Sequence, residues 1–167
     1  MKAVPGFTLG GGTMLEIVHY LHVLAGVIWA GGFVVYAVII FPALARQPAE
    51  TAGRIWERML PPTMAMMAGS AVLVLVLGLI RAFLGGGLTR FSQLGSGYGL
   101  TILAAIGIWL FLEAYGERDR ANFRRMTAEP EAFAANAQAE ARQHAIVTLA
   151  ASSVLIGLMA LMGPGVV

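Results

Sequence analysis

Apolar residues along this chain are grouped into four long blocks, at about 14–44, 62–84, 98–115 and 144–162. Short polar stretches separate the blocks. A helix needs roughly 17 or more apolar residues to cross a bilayer, and each block is long enough. The pattern therefore predicts an all-α protein, an integral membrane four-helix bundle formed as a single transmembrane domain over residues 1–167.

The polar stretches between the blocks differ in what they predict. Between spans three and four the helical spacing continues, so both helices are expected to extend beyond the membrane together as a polar hairpin. Thr127 is expected to cap the start of the second of these helices. Between spans one and two, mixed charges and Trp56 predict a short helix lying at the membrane interface, with Pro61 and Pro62 starting span two.

Composition supports the membrane assignment, because 58% of the residues are hydrophobic and only 12% are charged. A soluble domain usually carries about 25% charged residues. The chain has no cysteine. This excludes disulfides, thiolate metal ligands and a cysteine nucleophile, and leaves histidine, methionine, carboxylates and tyrosine as ligands.

Basic residues are distributed unevenly between the two sides of the predicted bundle. The stretches joining spans one to two and three to four hold Arg46, Arg54, Arg58, Arg118, Arg120, Arg124, Arg125 and Arg142, and the other side holds Lys2, Arg81 and Arg90. By the positive-inside rule the arginine-rich stretches lie in the cytoplasm and both termini outside, in the periplasm. The expected location is a bacterial inner membrane. The net charge of +2 reflects this bias, so no nucleic-acid partner is expected.

One face of the first span carries the most distinctive chemistry. The residues within roughly 80° of one another on a helical wheel are His19, His22, Gly26, Trp29 and Phe33. An imidazole in hydrocarbon is costly without a partner, so this stripe predicts a functional site. The alternative is that the histidines form cross-helix hydrogen bonds that only support packing.

A haem b site is the first model for this stripe. His22 or His19 would be an axial ligand, and Gly26 would let the ring approach the helix beside Trp29. Arg81, at similar depth on span two, would pair with a propionate.

A copper site is the second model. Met159 and Met162 on span four are expected at the depth of His19 and His22, and copper accepts both imidazole and thioether ligands.

A second candidate site lies at the other end of the bundle. His144 is expected near Glu113, near Arg142 and near the methionines at the start of span two. Two interpretations stay open: His144 and Glu113 form a proton relay, or Glu113 pairs with Arg142. His144 and His22 are on the order of 20–25 Å apart in a bilayer core about 30 Å thick, so they are not expected to bind one iron.

The residues LHVLAGVIWAGG (21–32), followed by Phe41 and Pro42, resemble the first span of the copper resistance protein D (CopD) family and of the related HemJ-type protoporphyrinogen oxidases. The shared pattern is L-H-x(6)-W-x-G, and an arginine after span two also fits. The resemblance implies a haem ligand at His22, or a role in copper handling. HemJ-like proteins also need a lysine early in span three. It would fall near Leu103 or Ala104, where this chain has none, which argues against a protoporphyrinogen oxidase.

Three functions from different classes therefore follow. The first is a haem b-binding inner-membrane redox protein, with a haem-dependent oxidoreductase activity left open. The second is a copper-binding or copper-transport membrane protein. The third is a cofactor-free accessory subunit of a larger membrane complex. The expected partners are the lipid bilayer and a redox partner, and a homo-oligomer stays open.

Overall fold

The computed structural model describes residues 11–162, and all regular structure in this part of the chain is helical. The elements are α1 (Gly11–Val35), a π turn (Tyr36–Ile40), α2 (Phe41–Leu44), α3 (Ala49–Leu84), a 3₁₀ turn (Phe91–Gly95), α4 (Gly97–Thr127) and α5 (Pro130–Met162). Because α1, the π turn and α2 follow one another without a break, residues 11–162 form four long helices.

All four long helices are apolar enough to cross a membrane. Their most apolar 18-residue windows have mean hydropathies between 1.6 and 2.4. Only 17–22% of the residues in these windows are buried inside the bundle, so the remaining apolar surface faces outward. Large apolar faces of this kind need lipid around them. The expected all-α four-helix membrane bundle is confirmed, and the protein is a multi-pass membrane protein.

The two ends of the bundle are distinguished by their connections. One end, here called the terminal end, holds the start of α1, the end of α5 and the loop 85–96 between α3 and α4. The opposite end, here called the hairpin end, holds the connection 45–48 and the tight turn 128–129 between α4 and α5. As expected, α4 and α5 extend together toward the hairpin end as a long pair.

Helix α3 begins much earlier than the sequence predicted. It starts at Ala49 and continues through Pro61 and Pro62 to Leu84, so the expected interfacial helix is wrong. Trp56 is 5% exposed and packs on Phe123 of α4, with ring centroids 5.1 Å apart. This burial fixes residues 49–60 against the α4–α5 pair, which explains why the helix continues on the hairpin side of the prolines.

Thr127 also differs from expectation. It is the last residue of α4 and its hydroxyl donates back to the carbonyls of Phe123 and Arg124, so it does not cap α5. Helix α5 instead begins at Pro130, whose missing N–H is harmless in a first turn.

The π turn ends two residues before Pro42. Within it the backbone N–H of Phe41 bonds to the carbonyl of Tyr36, five residues back. The wider turn removes the crowding that a proline imposes on the preceding helical turn. It also sets the rotation of Tyr36, whose ring lies over Trp56 at 5.4 Å.

The buried side chains form two clusters. The hairpin-half cluster comprises Phe41, Leu44, Ala45, Ala49, Ala52, Trp56, Phe123, Met126, Phe133, Ala137 and Ala141. The terminal-half cluster comprises Ala25, Trp29, Phe33, Met67, Ala71, Val74, Leu112 and Leu155. Beyond the second cluster, toward the terminal end, the helices enclose a cavity.

Candidate functional site

The cavity lies inside the bundle and all four long helices contribute to its wall. Its lining residues are His22, Trp29, Val74, Leu75, Gly78, Leu79, Arg81, Tyr98, Ile102, Ala105, Ile106, Trp109, Leu155, Met159 and Met162. The space has a volume of about 80 Å³. Most of the wall is aliphatic or aromatic, and the polar groups are few, as in small-molecule sites generally.

A wider vestibule lies toward the terminal end of the cavity. It has a volume of about 510 Å³ and shares Arg81, Tyr98 and Met162 with the cavity wall. His19 and Glu16 line the vestibule and are both exposed. The two spaces therefore meet at Arg81, and the two histidines of α1 lie in different ones.

His22 has a defined hydrogen-bonding state. Its Nδ1 lies 3.0 Å from the backbone carbonyl oxygen of Val74 on α3. A carbonyl oxygen only accepts, so Nδ1 carries the proton and Nε2 of the neutral ring keeps its lone pair. Metal-binding histidines are commonly oriented in this way, by donating the other ring N–H to a carbonyl. The cross-helix hydrogen bond of the packing interpretation is therefore present, and it does not use Nε2.

The glycine that admits the His22 ring is Gly78 on α3. A Cβ added at Gly78 would lie 2.9 Å from Cε1 of His22, so only glycine leaves room for the ring here. Gly26, which was expected to line a cofactor ring, does not line the cavity. It faces α3 instead, where an added Cβ would meet a methyl group of Val74 at 4.0 Å.

The methionines and the arginine of the sequence hypotheses lie where they were expected. Met159, Met162 and Arg81 line the same cavity as His22. Within residues 11–162, Arg81 makes no ion pair, so its charge is available to an anion. In that same part of the chain, no three His, Asp or Glu side chains are close enough to hold a metal ion.

Two tryptophans form the floor of the cavity. Trp29 of α1 is 1% exposed and donates from Nε1 to Oε1 of Glu113 on α4, at 2.7 Å. Trp109 lies beside it with ring centroids 6.5 Å apart, and its buried Nε1 has no hydrogen-bond partner in the described structure. Glu113 therefore pairs with Trp29. The expected pairing of Glu113 with Arg142 is wrong, since no such ion pair exists among residues 11–162.

His144 does not meet Glu113, contrary to expectation. Its Nδ1 lies 3.3 Å from Oδ1 of Asp119, and its ring stacks on Tyr115 with centroids 5.2 Å apart. Glu113 and Asp119 are six residues apart on α4, so they project from different faces of that helix. His144 packs on the face that carries Asp119.

Sequence reasoning missed Asp119 and Tyr36, which join His144 in the hairpin half. A signal for Asp119 was present. The buried positions of the second half of α4 are Leu112, Gly116, Asp119, Phe123 and Met126, with the alternating four- and three-residue spacing of a core-facing stripe. A carboxylate within such a stripe needs a partner. Tyr36 gave no comparable signal, because the π turn sets its rotation.

The fold and the cavity define a class of protein: a four-helix membrane protein with an imidazole in an internal, largely apolar cavity. Comparisons of the chain with protein-family models, with curated proteins and with solved structures find no match.

Proposed function

We propose that this protein is a haem b-binding membrane redox protein in which His22 is an axial ligand. The observation that carries the proposal is the bond from Nδ1 of His22 to the carbonyl of Val74 at 3.0 Å. It leaves Nε2 free on a ring that lines a cavity, which is the state an iron ligand needs. A haem b bound there would supply one-electron chemistry.

The surroundings of His22 suit a large planar group with acidic substituents. Ile102, Ile106 and Leu155 provide apolar walls, and Arg81 provides a guanidinium for a carboxylate. The cavity of about 80 Å³ is smaller than the roughly 300–1,000 Å³ of typical cofactor clefts. The vestibule of about 510 Å³ adds the remaining space. Arg81 lines both spaces, so its guanidinium would hold an acidic substituent of the bound group.

The resemblance of residues 21–32 to the CopD and HemJ-like families supports the same assignment of His22. The missing lysine near Leu103 or Ala104 supports a redox or binding role in place of protoporphyrinogen oxidation. We further propose a bacterial inner membrane with the hairpin end in the cytoplasm, because eight of the eleven Lys and Arg residues belong to that end. The cavity then opens toward the periplasm, where a redox partner would dock.

Copper is the second candidate, and the small size of the inner cavity favours it. One imidazole and two thioethers, from Met159 and Met162, line a space of about 80 Å³ without a carboxylate. Soft ligands of this kind select copper(I). His19 lies outside this set, in the vestibule, so the copper site of the sequence hypothesis would contract to three ligands.

The test is an absorption spectrum, oxidised and reduced, with metal analysis on the same sample in mild detergent. For haem we expect a Soret band that is lost in His22→Ala and kept in His19→Ala, the matched control one helical turn away. For copper we expect stoichiometric metal without a Soret band, lost in His22→Ala and in Met159→Leu. A colourless, metal-free protein after expression with both haem and copper would contradict both proposals. The accessory-subunit hypothesis would then lead to a search for co-purifying partners.

A further inference from the structure

Three titratable side chains meet in the hairpin half, away from the cavity. The phenol of Tyr36 donates to Oδ2 of Asp119 at 3.1 Å, and Oδ1 of the same carboxylate lies 3.3 Å from Nδ1 of His144. The side chains of Asp119 and His144 are 7% and 1% exposed. Each comes from a different segment: the π turn, α4 and α5. None of the three lines the cavity or the vestibule.

The cluster is enclosed mainly by aromatic rings. His144 stacks on Tyr115 and meets the edges of Tyr36 and Phe41 at centroid distances of 5.4 and 5.8 Å. On the side of α3, the ring of Trp56 packs on the ring of Tyr36. Further charged groups around this cluster are Arg118, Arg120, which pairs with Glu117 at 2.8 Å, and Glu140, one turn before His144 on α5.

Burial restricts the charge states that this cluster adopts. An isolated buried charge is expensive, and an aspartate and a histidine in contact avoid that expense by keeping one proton between them. Gain or loss of that proton changes the net charge of a buried site by one.

Polar side chains on one face of α5 extend from His144 toward the cavity. Nε2 of His144 lies 3.5 Å from Oγ1 of Thr148, which is fully buried. One turn further is Ser152, whose buried Oγ has no hydrogen-bond partner in residues 11–162. Leu155, on the next turn, lines the cavity. Polar groups therefore run from Asp119 almost to the cavity, at about 6 Å per helical step of four residues.

The carboxylate, imidazole and hydroxyl follow one another in the same order as in a hydrolase triad. Their surroundings differ from those of a catalytic triad, which must be open to substrate. Asp119, His144 and Thr148 line neither the cavity nor the vestibule, so a substrate in either space does not reach the hydroxyl. A proton is the one reactant small enough for this enclosure. The π turn that aims Tyr36 at Asp119 is also a feature frequent at functional sites.

We propose that Tyr36, Asp119 and His144 form a buried proton-binding site, connected through Thr148 and Ser152 to the cavity of the terminal half. Were a haem in the cavity reduced by one electron from a redox partner, this site would take up one proton, and it would release that proton on reoxidation. The proton-binding site stands on its own geometry, whereas its coupling to an electron rests on the proposed haem function.

The binding site is tested first, without any cofactor, by infrared difference spectroscopy of the full chain in lipid vesicles during a pH titration. We expect one step in which imidazole and carboxyl bands change together. Asp119→Asn and His144→Gln should each remove that joint step, and Tyr36→Phe, a milder variant, should shift its midpoint. Glu129→Gln, exposed in the α4–α5 turn, is the matched carboxylate control and should leave the step unchanged. A wild-type titration without a joint step, or one that survives Asp119→Asn, would overturn the site.

The coupling is tested on haem-loaded vesicles by following proton uptake with a pH dye after rapid reduction. The wild type should take up a proton, Asp119→Asn should lose that uptake, and Ser152→Ala should slow it while keeping the infrared step. Uptake at the wild-type rate in both variants would overturn the connection. A protein that binds no haem but shows the infrared step would contradict the haem proposal and leave the proton site supported.

Discussion

His22 in the terminal half and His144 in the hairpin half both place Nδ1 beside an oxygen, but their rings have different surroundings. The partner of His22 is a backbone carbonyl, and its ring borders an open space. The carboxylate of Asp119 lies beside His144, and the rings of Tyr36, Phe41 and Tyr115 pack on its imidazole. One imidazole is oriented by a hydrogen bond that leaves Nε2 free, whereas the other is enclosed beside a carboxylate, and its Nδ1 makes no hydrogen bond of good geometry within residues 11–162.

The same difference extends to the packing of the two halves. The hairpin half closes around Trp56 and Phe123, which are almost inaccessible. The terminal half keeps an internal space. A buried indole N–H without a partner in the described structure occurs in both halves, at Trp109 and at Trp56. Close packing stabilises a bundle, so the internal space of the terminal half indicates a position where binding is favoured over stability.

The largest expected effect is on the free energy of unfolding, and it compares the packing of the two halves. Phe123→Ala should lower the free energy of unfolding by about 3–5 kcal/mol, because Phe123 is fully buried against Phe41, Trp56 and Phe133. Ile106→Ala, in the cavity wall, should cost less, because its side chain already borders empty space. Unfolding by SDS titration in mixed micelles measures both. Equal losses would show that the two halves are equally well packed.

A smaller effect compares the two tryptophans of the cavity floor. Trp29→Phe removes the donor to Glu113 and should cost about 1–3 kcal/mol of unfolding free energy, since the carboxyl group is left unpaired. Trp109→Phe removes an N–H that has no partner in the described structure, so it should be neutral or slightly stabilising. The same unfolding assay measures the pair. A larger loss in Trp109→Phe would mean that its N–H is satisfied by a group bound in the cavity.

The helices, and the side chains on each helix that face the bundle interior, could be predicted from the sequence, because both follow from local periodicity. Leu155, Ser152 and Thr148 are buried on one face of α5, as their spacing indicated. The start of α3 could not be predicted in this way. The charges around Trp56 indicated an interfacial helix. The contacts of Trp56 with Phe123 and Tyr36 join residues distant in sequence, so local periodicity does not predict them.

The candidate site shows the same limit. His22, Arg81, Met159 and Met162 were expected at one depth, and depth alone was enough to bring them to one cavity. To predict the partner of His144, the rotation of each helix about its own axis also had to be known. The sequence predicted Glu113 as the partner of His144, whereas the structure has Asp119. These two carboxylates are six residues apart, which is about 240° around a helix, so they lie on different faces of α4.

The smallest expected effect tests whether the His22 ring is held for a ligand. Gly78→Ala places a Cβ 2.9 Å from Cε1 of His22, so the ring must move away from α3 and its bond to Val74 lengthens. We expect cofactor affinity to fall by about tenfold, equivalent to about 1.4 kcal/mol, measured by titrating haem or copper into the apoprotein. Gly69→Ala is the matched control on the same helix, because an added Cβ there meets nothing within 4 Å. It should leave affinity unchanged and favour the helix by up to about 1 kcal/mol. If both variants bind the cofactor like the wild type, the position of the His22 ring does not determine binding, and the free Nε2 would no longer distinguish the terminal half from the hairpin half.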